Sequence, residues 1–297
     1  MDRMVDIYPS RIYDRPRLID RQDPVVYPGR SGPLTADQLA FFEENGYLFL
    51  PAFFDEEETA RLVDEVNRLC REKAGSTEPE VIREAGGDDV RSIFAIHQSD
   101  PVFASLCRDD RLAGVSAQIL GSDVYVHQSR INYKPGFRGK EFYWHSDFET
   151  WHVEDGLPRM RTVSCSLALS ENNPFNGPLM VVPGSHKTYV SCVGATPEQN
   201  YTQSLVRQEV GVPDDETMTE LVRRHGLVQP TGPAGSVLIF DCNVIHGSGS
   251  NISPYPRSNA FFVYNSVENL PVAPFGPETP RPGFLGSRDF TVVNRQP

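Results

Sequence analysis

Arg161-Thr162-Val163-Ser164-Cys165-Ser166-Leu167-Ala168-Leu169 is a short run rich in β-branched and apolar residues, and it has counterparts in Val124 to Val126, Val237 to Phe240 and Ala260 to Tyr264. Gly and Pro clusters punctuate these runs: Asn176-Gly177-Pro178, Pro183-Gly184 and Gly232-Pro233-Ala234-Gly235. Short strands divided by such turns, with helical patterns gathered ahead of them, predict a mainly β protein with flanking helices. The core expected is a double-stranded β-helix, a jelly-roll or cupin-like barrel.

Outward from that core, Thr35-Ala36-Asp37-Gln38 has the form of a capping box ahead of Leu39, Phe41 and Phe42, with Gly46 placed to stop a first helix. Tyr47 to Leu50 follows as a strand. Asp55 then caps a second helix, in which Leu62, Val63, Val66, Leu69 and Cys70 share a face. Residues 1–33, rich in Pro, Arg and Asp and without periodicity, read as an irregular arm lying over the body. The chain is expected to form a single domain over residues 1–297. Its barrel is expected over about 123–270, with an insertion at about 194–229 forming a surface excursion.

Composition excludes several classes. Lys plus Arg number 28 against 40 Asp plus Glu, a formal charge of -12 that opposes nucleic-acid binding. No apolar run approaches a membrane span, and the charged first residues carry no secretory stretch, so a cytoplasmic protein is expected. The 5 cysteines are odd in number and form no CxxC pair, against a disulfide framework or a cysteine-rich zinc site.

The chemistry-bearing residues begin with Trp144-His145-Ser146-Asp147. On a strand, His145 and Asp147 project to the same face and can bind one ion together. Far downstream, His246 follows an apolar strand and precedes Gly247, a plausible third ligand. Two imidazoles and a carboxylate on one face of an octahedral ion leave adjacent positions open, the arrangement of non-haem iron(II) oxygenases. His-x-Asp by itself is more readily read as an exposed or hydrogen-bonded histidine beside an acid. Shortly after His246 comes Arg257, a candidate bidentate partner for a distal carboxylate, with a surface salt bridge as its plain alternative. Gln128, Arg130 and Lys134 share one face if their segment is extended. His97, His127, His152, His186 and His225 lack a second ligand at a useful spacing, and His152 is the main decoy.

His145-x-Asp147, His246 and Arg257, set among these strands after Gly46-Tyr47, resemble the phytanoyl-CoA dioxygenase family. Within that family the segment from Phe142 to Pro158, FYWHSDFETWHVEDGLP, resembles the signature of the ectoine hydroxylases. Asp23-Pro24-Val25-Val26-Tyr27, Gln128 to Lys134 and Pro183-Gly184-Ser185-His186 support the likeness. The resemblance implies that iron(II) is held by His145, Asp147 and His246. Lys134, Arg257, Asn132 and Ser248 would bind 2-oxoglutarate as cosubstrate. Gln128 and Trp151 would contact ectoine, with Phe240, Phe261 and Arg281 as further substrate contacts. Ectoine is a cyclic amidinium carboxylate, which suits the face of Trp151 through a cation–π contact, although a packing role at the barrel rim is the competing reading. Dioxygen is the second substrate, and a homodimer is implied by family likeness alone.

Two rivals stay open. One keeps the oxygenase chemistry and changes the substrate to another small metabolite or an acyl-CoA, which would need a long apolar groove. The other is a non-catalytic jelly-roll module holding structural zinc, which would need a fourth ligand.

Overall fold

A computed structural model of the chain describes residues 5–84, 87 and 89–295; the first four residues of the expected arm and the last two of the chain lie outside it. Its strands are β1 (Arg17–Asp20), β2 (Tyr47–Leu50), β3 (Val81–Arg83), β4 (Val90–Phe94), β5 (Val124–Lys134) and β6 (Phe142–His145). They continue with β7 (Thr162–Ala168), β8 (Leu179–Val181), β9 (Thr188–Ser191), β10 (Val237–Asp241), β11 (His246–Ser248) and β12 (Arg257–Ser266). A 7-stranded antiparallel sheet runs β2-β10-β7-β12-β5-β4-β3, and a 3-stranded sheet runs β6-β11-β8. Leu238, Phe240 and Phe261 of the large sheet pack with Leu179 of the small one, closing the expected double-sheet core.

The helical flank forms as its sequence dictates. In helix α1 (Ala36–Asn45) the Thr35 hydroxyl accepts the Gln38 N–H at 3.2 Å while the Gln38 side chain accepts the Thr35 N–H at 2.9 Å. Gly46 ends it at φ 76°, a left-handed conformation that glycine adopts without strain. Asp55 and Glu58 make the same reciprocal cap on helix α2 (Glu56–Glu72). Leu62, Val66 and Leu69 of α2 are buried with Val163, Cys165 and Leu167 of β7 and with Ala260, Phe262 and Tyr264 of β12. Each buried leucine, valine or phenylalanine of this set stabilises the fold by about 1.5–3 kcal/mol.

Alternation turns the other face of the large sheet toward the interior between the two sheets: Ser164 and Ser166 on β7, Leu238 and Phe240 on β10, Asn259 and Phe261 on β12. Strand β5 needs a correction of phase. Opposite β5 the register steps from Val263↔Gln128 to Tyr264↔Val126, so His127 is the extra residue of a β-bulge. Val124 and Val126 face the helices, and beyond the bulge Gln128, Arg130, Asn132 and Lys134 share the opposite face. The bulge thereby turns a polar row inward.

Three expectations are corrected. The arm is not wholly irregular: β1 pairs with β9, and Arg11, buried, reaches Glu149 at 2.7 Å and Glu154 at 2.7 Å. The large sheet takes β2, β3 and β4 from before residue 123, because the helical flank is interleaved with strands. The 194–229 insertion is not only a surface excursion. Met218 and Leu221 of its helix Asp215–His225 bury against Val182, Val190 and Ile245, and Val228 bridges to Val181.

Candidate active site

His145 ends β6, and Asp147 is not on that strand as expected but opens a helical turn, Asp147–Thr150, with Ser146 extended between them at φ -103°. The turn is pinned from outside: the Phe148 N–H donates to Cys242 O at 2.8 Å and the Ser146 hydroxyl to Asn243 Oδ1 at 3.0 Å. Arg21 of the arm holds Asp241, the start of that pinning loop, at 2.9 Å. His246 opens β11 directly opposite His145 in the ladder. The three side chains converge: His145 Nε2 lies 3.6 Å from Asp147 Oδ1, His246 Nε2 lies 3.9 Å from Asp147 Oδ2, and the two rings are 4.3 Å apart.

The donor set fits a metal ion. His145 Nδ1 donates to Tyr143 O at 2.6 Å and His246 Nδ1 to Val244 O at 3.0 Å, which leaves each Nε2 lone pair facing Asp147. Burial, then His145, pushes His246 down to about 4, so it is neutral and able to ligate. Burial opposes ionisation of Asp147, yet His246, His145 and Arg130 hold it below the usual carboxylate range. Donors about 2.1 Å from a common ion stand roughly 3–4 Å apart, matching these spacings. Among the described residues, this is the one group of three or more His, Cys, Asp or Glu placed to hold an ion.

Beside it is a cavity of about 90 Å³ lined by, among others, Gln128, Arg130, Asn132, Trp151 and Arg281. A larger cleft, about 650 Å³, is a different space that shares Phe142, Ser204 and Gln208 with it and so adjoins the site without being it. Gln128 donates to Leu285 O at 2.6 Å and accepts from Arg130, whose guanidinium lies 4.6 Å above the Phe261 ring. Trp151 is buried edge-on to His127 and packs with Tyr8, Phe148 and Val263. It belongs to a π-helical segment, Trp151–Asp155, rather than to a strand rim.

Deeper in the barrel, Arg257 and Lys134 are register partners on β12 and β5. The Lys134 ammonium donates to Ser248 Oγ at 2.9 Å and Gly249 O at 2.7 Å. Burial, then Arg257, pushes Lys134 down to about 6, and burial lowers Arg257 to about 10. Among the described residues no carboxylate forms an ion pair with either, and the buried Arg257 Nε has no partner. Asn132 accepts from Ser92 at 2.8 Å.

Phe240 and Phe261 do not line the cavity. They lie beneath it with Leu238 and Val244, Phe240 backing His246 at 5.0 Å, because both are fully packed between the two sheets. His152, the decoy, is tied to Leu157 O at 2.8 Å and Asp6 at 3.0 Å and stacks on Phe275. Sequence reading missed the lining residues Arg130, Ser92, Phe94, Thr150, Ser204, Leu205 and Gln208. Of these only Arg130 carried a signal, its alternation with Gln128 and Asn132.

A barrel offering two imidazoles and one carboxylate at its mouth, with buried Lys134 and Arg257 free of carboxylate partners among the described residues, defines a non-haem metal oxygenase, and the chain belongs to the phytanoyl-CoA dioxygenase family, whose sequence profile matches residues 42–259. Within it the chain is 52% identical to the ectoine dioxygenase of Stutzerimonas stutzeri over 286 residues, 96% of this chain and 95% of that protein. It superposes on the crystal structure of EctD from S. alaskensis with 2-oxoglutarate and 5-hydroxyectoine at a TM-score of 0.89, 47% identical and covering 98% of each chain. The structure of the same enzyme with bound Fe gives 0.88 and 46%, again over 98% of each.

Proposed function

We propose that this protein hydroxylates ectoine to 5-hydroxyectoine, using iron(II) and 2-oxoglutarate, consuming dioxygen and releasing succinate and carbon dioxide. The observation that carries the reading is the juxtaposition of the His145, Asp147 and His246 donor set with buried Lys134 and Arg257, neither of which has a carboxylate partner among the described residues. Those three donors would hold iron(II), which supplies the oxidative decarboxylation of 2-oxoglutarate and the transfer of one oxygen atom to a C–H bond.

The remaining roles belong to the chain. Arg257 and Lys134 receive the distal carboxylate of 2-oxoglutarate, with Ser248 holding Lys134 in place and Asn132 completing the polar wall. Gln128, fixed by Arg130 and the Leu285 carbonyl, offers its amide to ectoine. Trp151 presents an apolar and electron-rich surface to the amidinium, a contact of about 0.5–2 kcal/mol. Arg281 supplies the cation for the ectoine carboxylate. Phe240 and Phe261 act from beneath, backing His246 and Arg130. The tail runs from Gly276, bonded to Val153 O, to β5, where Ser287 donates to His127 O and Val293 to Val124 O, and it excludes water.

A lining in which Gln128, Arg130, Asn132 and Arg281 accompany Trp151 suits a small zwitterion. Structural zinc would require a fourth protein ligand, and the group among the described residues has three. No helix among those residues is long and apolar enough to cross a membrane. A cytoplasmic homodimer belongs to the same proposal, its oligomeric state open to sedimentation measurements.

The test is anaerobic reconstitution with iron(II), 2-oxoglutarate and ectoine, followed by exposure to oxygen while succinate and product mass are measured together. Succinate matched by a product one oxygen heavier is expected. Succinate without that product discards ectoine as the substrate.

A further inference from the structure

Asp155 ends the segment that begins with Trp151, and its carboxylate is 1% exposed. Its Oδ1 accepts from Arg281 Nε at 2.8 Å and its Oδ2 from Arg281 Nη2 at 2.6 Å. His127 Nε2 lies 3.3 Å from the same Oδ2, and the Asp155 carbonyl accepts from Arg288 Nη2 at 2.8 Å. One residue therefore joins the bulge of β5, the segment carrying Trp151 and the C-terminal tail. The tail is seated tightly: a Cβ on Gly286 would meet the Asp155 carboxylate at 2.7 Å. His127 in turn packs edge-on against Trp151 at 5.5 Å.

We propose that Asp155 is a positioning residue for substrate, the buried anion that fastens the C-terminal tail as a wall of the ectoine cavity. It fixes the Arg281 guanidinium in that wall and the His127 ring behind Trp151, and it touches neither substrate nor metal. The inference rests on the proposed ectoine reading for its kinetic consequences and on the contacts alone for its mechanical ones. A bidentate charge-assisted pair holds a guanidinium in both distance and plane, which a single neutral acceptor does not. Burial opposes ionisation of Asp155, but Arg281 and His127 outweigh it and leave the carboxyl at about 2, so the clamp stays charged at neutral pH.

Asp155→Asn keeps the shape and removes the charge. In the iron-loaded protein it should raise the KM for ectoine about tenfold while the KM for 2-oxoglutarate is unchanged and kcat stays within about threefold. Hydrogen exchange at Ser287, whose N–H donates to His127 O, should accelerate about tenfold. Gly286→Ala, which displaces the tail with every charge intact, should reproduce the ectoine effect, and Asp155→Glu should restore part of it. On an Arg281→Ala background Asp155→Asn should add little. Multiplicative effects of the two substitutions, an equal rise in both KM values, or unchanged exchange at Ser287 would each overturn the assignment. Wild-type protein that binds iron but leaves ectoine unmodified sinks the substrate reading instead, and the exchange data then still decide whether Asp155 holds the tail.

Discussion

The two walls of the barrel are built on opposite electrostatic plans. On the small sheet and its following turn, His145, Asp147 and His246 are held by backbone carbonyls, by Ser164 at 3.4 Å from Asp147 and by one another, so their charges and lone pairs are arranged before any ligand arrives. On the large sheet, Lys134 and Arg257 are buried with only neutral oxygens or nothing at hand. Burying a cation without an anion costs several kcal/mol. One wall is complete on its own; the other, under the proposed function, receives its anion as the distal carboxylate of 2-oxoglutarate.

The largest effect should come from the complete wall. His246→Ala removes an imidazole and should lower turnover by more than about 100-fold, with iron(II) binding lost in parallel by metal analysis. Full activity in this variant would remove His246 from the ligand set.

The incomplete wall should behave in the contrary way. Arg257→Met should raise the KM for 2-oxoglutarate about 100-fold yet leave the melting temperature equal or higher, since it removes an unpaired buried charge. A lowered melting temperature with an unaltered KM would assign Arg257 to structure and erase the contrast.

Lys134 sharpens the contrast through pH. Its folded value of about 6 means that it is neutral above that pH until a dicarboxylate arrives and raises its affinity for a proton. Binding of 2-oxoglutarate should therefore take up about one proton at pH 8, measurable by calorimetry in two buffers of different ionisation enthalpy. Affinity should weaken as pH rises above 6. Stability runs the other way, because the unfolded chain keeps the proton up to the ordinary 10.5: this group's contribution rises with pH between about 6 and 10.5. A Lys134→Met protein showing the same proton uptake would refute this origin.

The smallest effect belongs to the decoy. His152→Asn should cost about 1 kcal/mol of stability through its lost hydrogen bonds and leave iron binding intact. Loss of iron from this variant would place a fourth ligand where none is expected.

What the sequence disclosed and what it hid follow from range. The caps at Thr35 and Asp55, the strands β2, β5, β7, β10 and β12 and the His145-x-Asp147 spacing are local, decided by neighbours within a few positions. The convergence of His246 on that pair rests on strand register; its place after an apolar strand and before Gly247 marked it as a third ligand, and the family likeness supported the assignment. His127 as a bulge was illegible, because one extra residue in a strand leaves no compositional trace. The insertion's Ser204, Leu205 and Gln208 at the cavity and the pairing of Arg281 with Asp155 depend on where distant chain segments return, which periodicity does not encode. Phe240 and Phe261 were misplaced by one layer, as apolar side chains facing a barrel interior fit a cavity lining and a packed floor equally well in sequence.

Both ends of the described chain close on one stretch, Asp147 to Asp155, through contacts separated by 138 positions for Arg11 with Glu149 and by 126 for Asp155 with Arg281. Contacts of such long span are slow to form, because a large loop must close before either ion pair contributes. During refolding from denaturant the sheets and capped helices should therefore appear first, and competence to retain ectoine should lag behind them as a separate, slower phase. The stretch that anchors the chemistry is in this sense a keystone, locked by the two last segments to arrive.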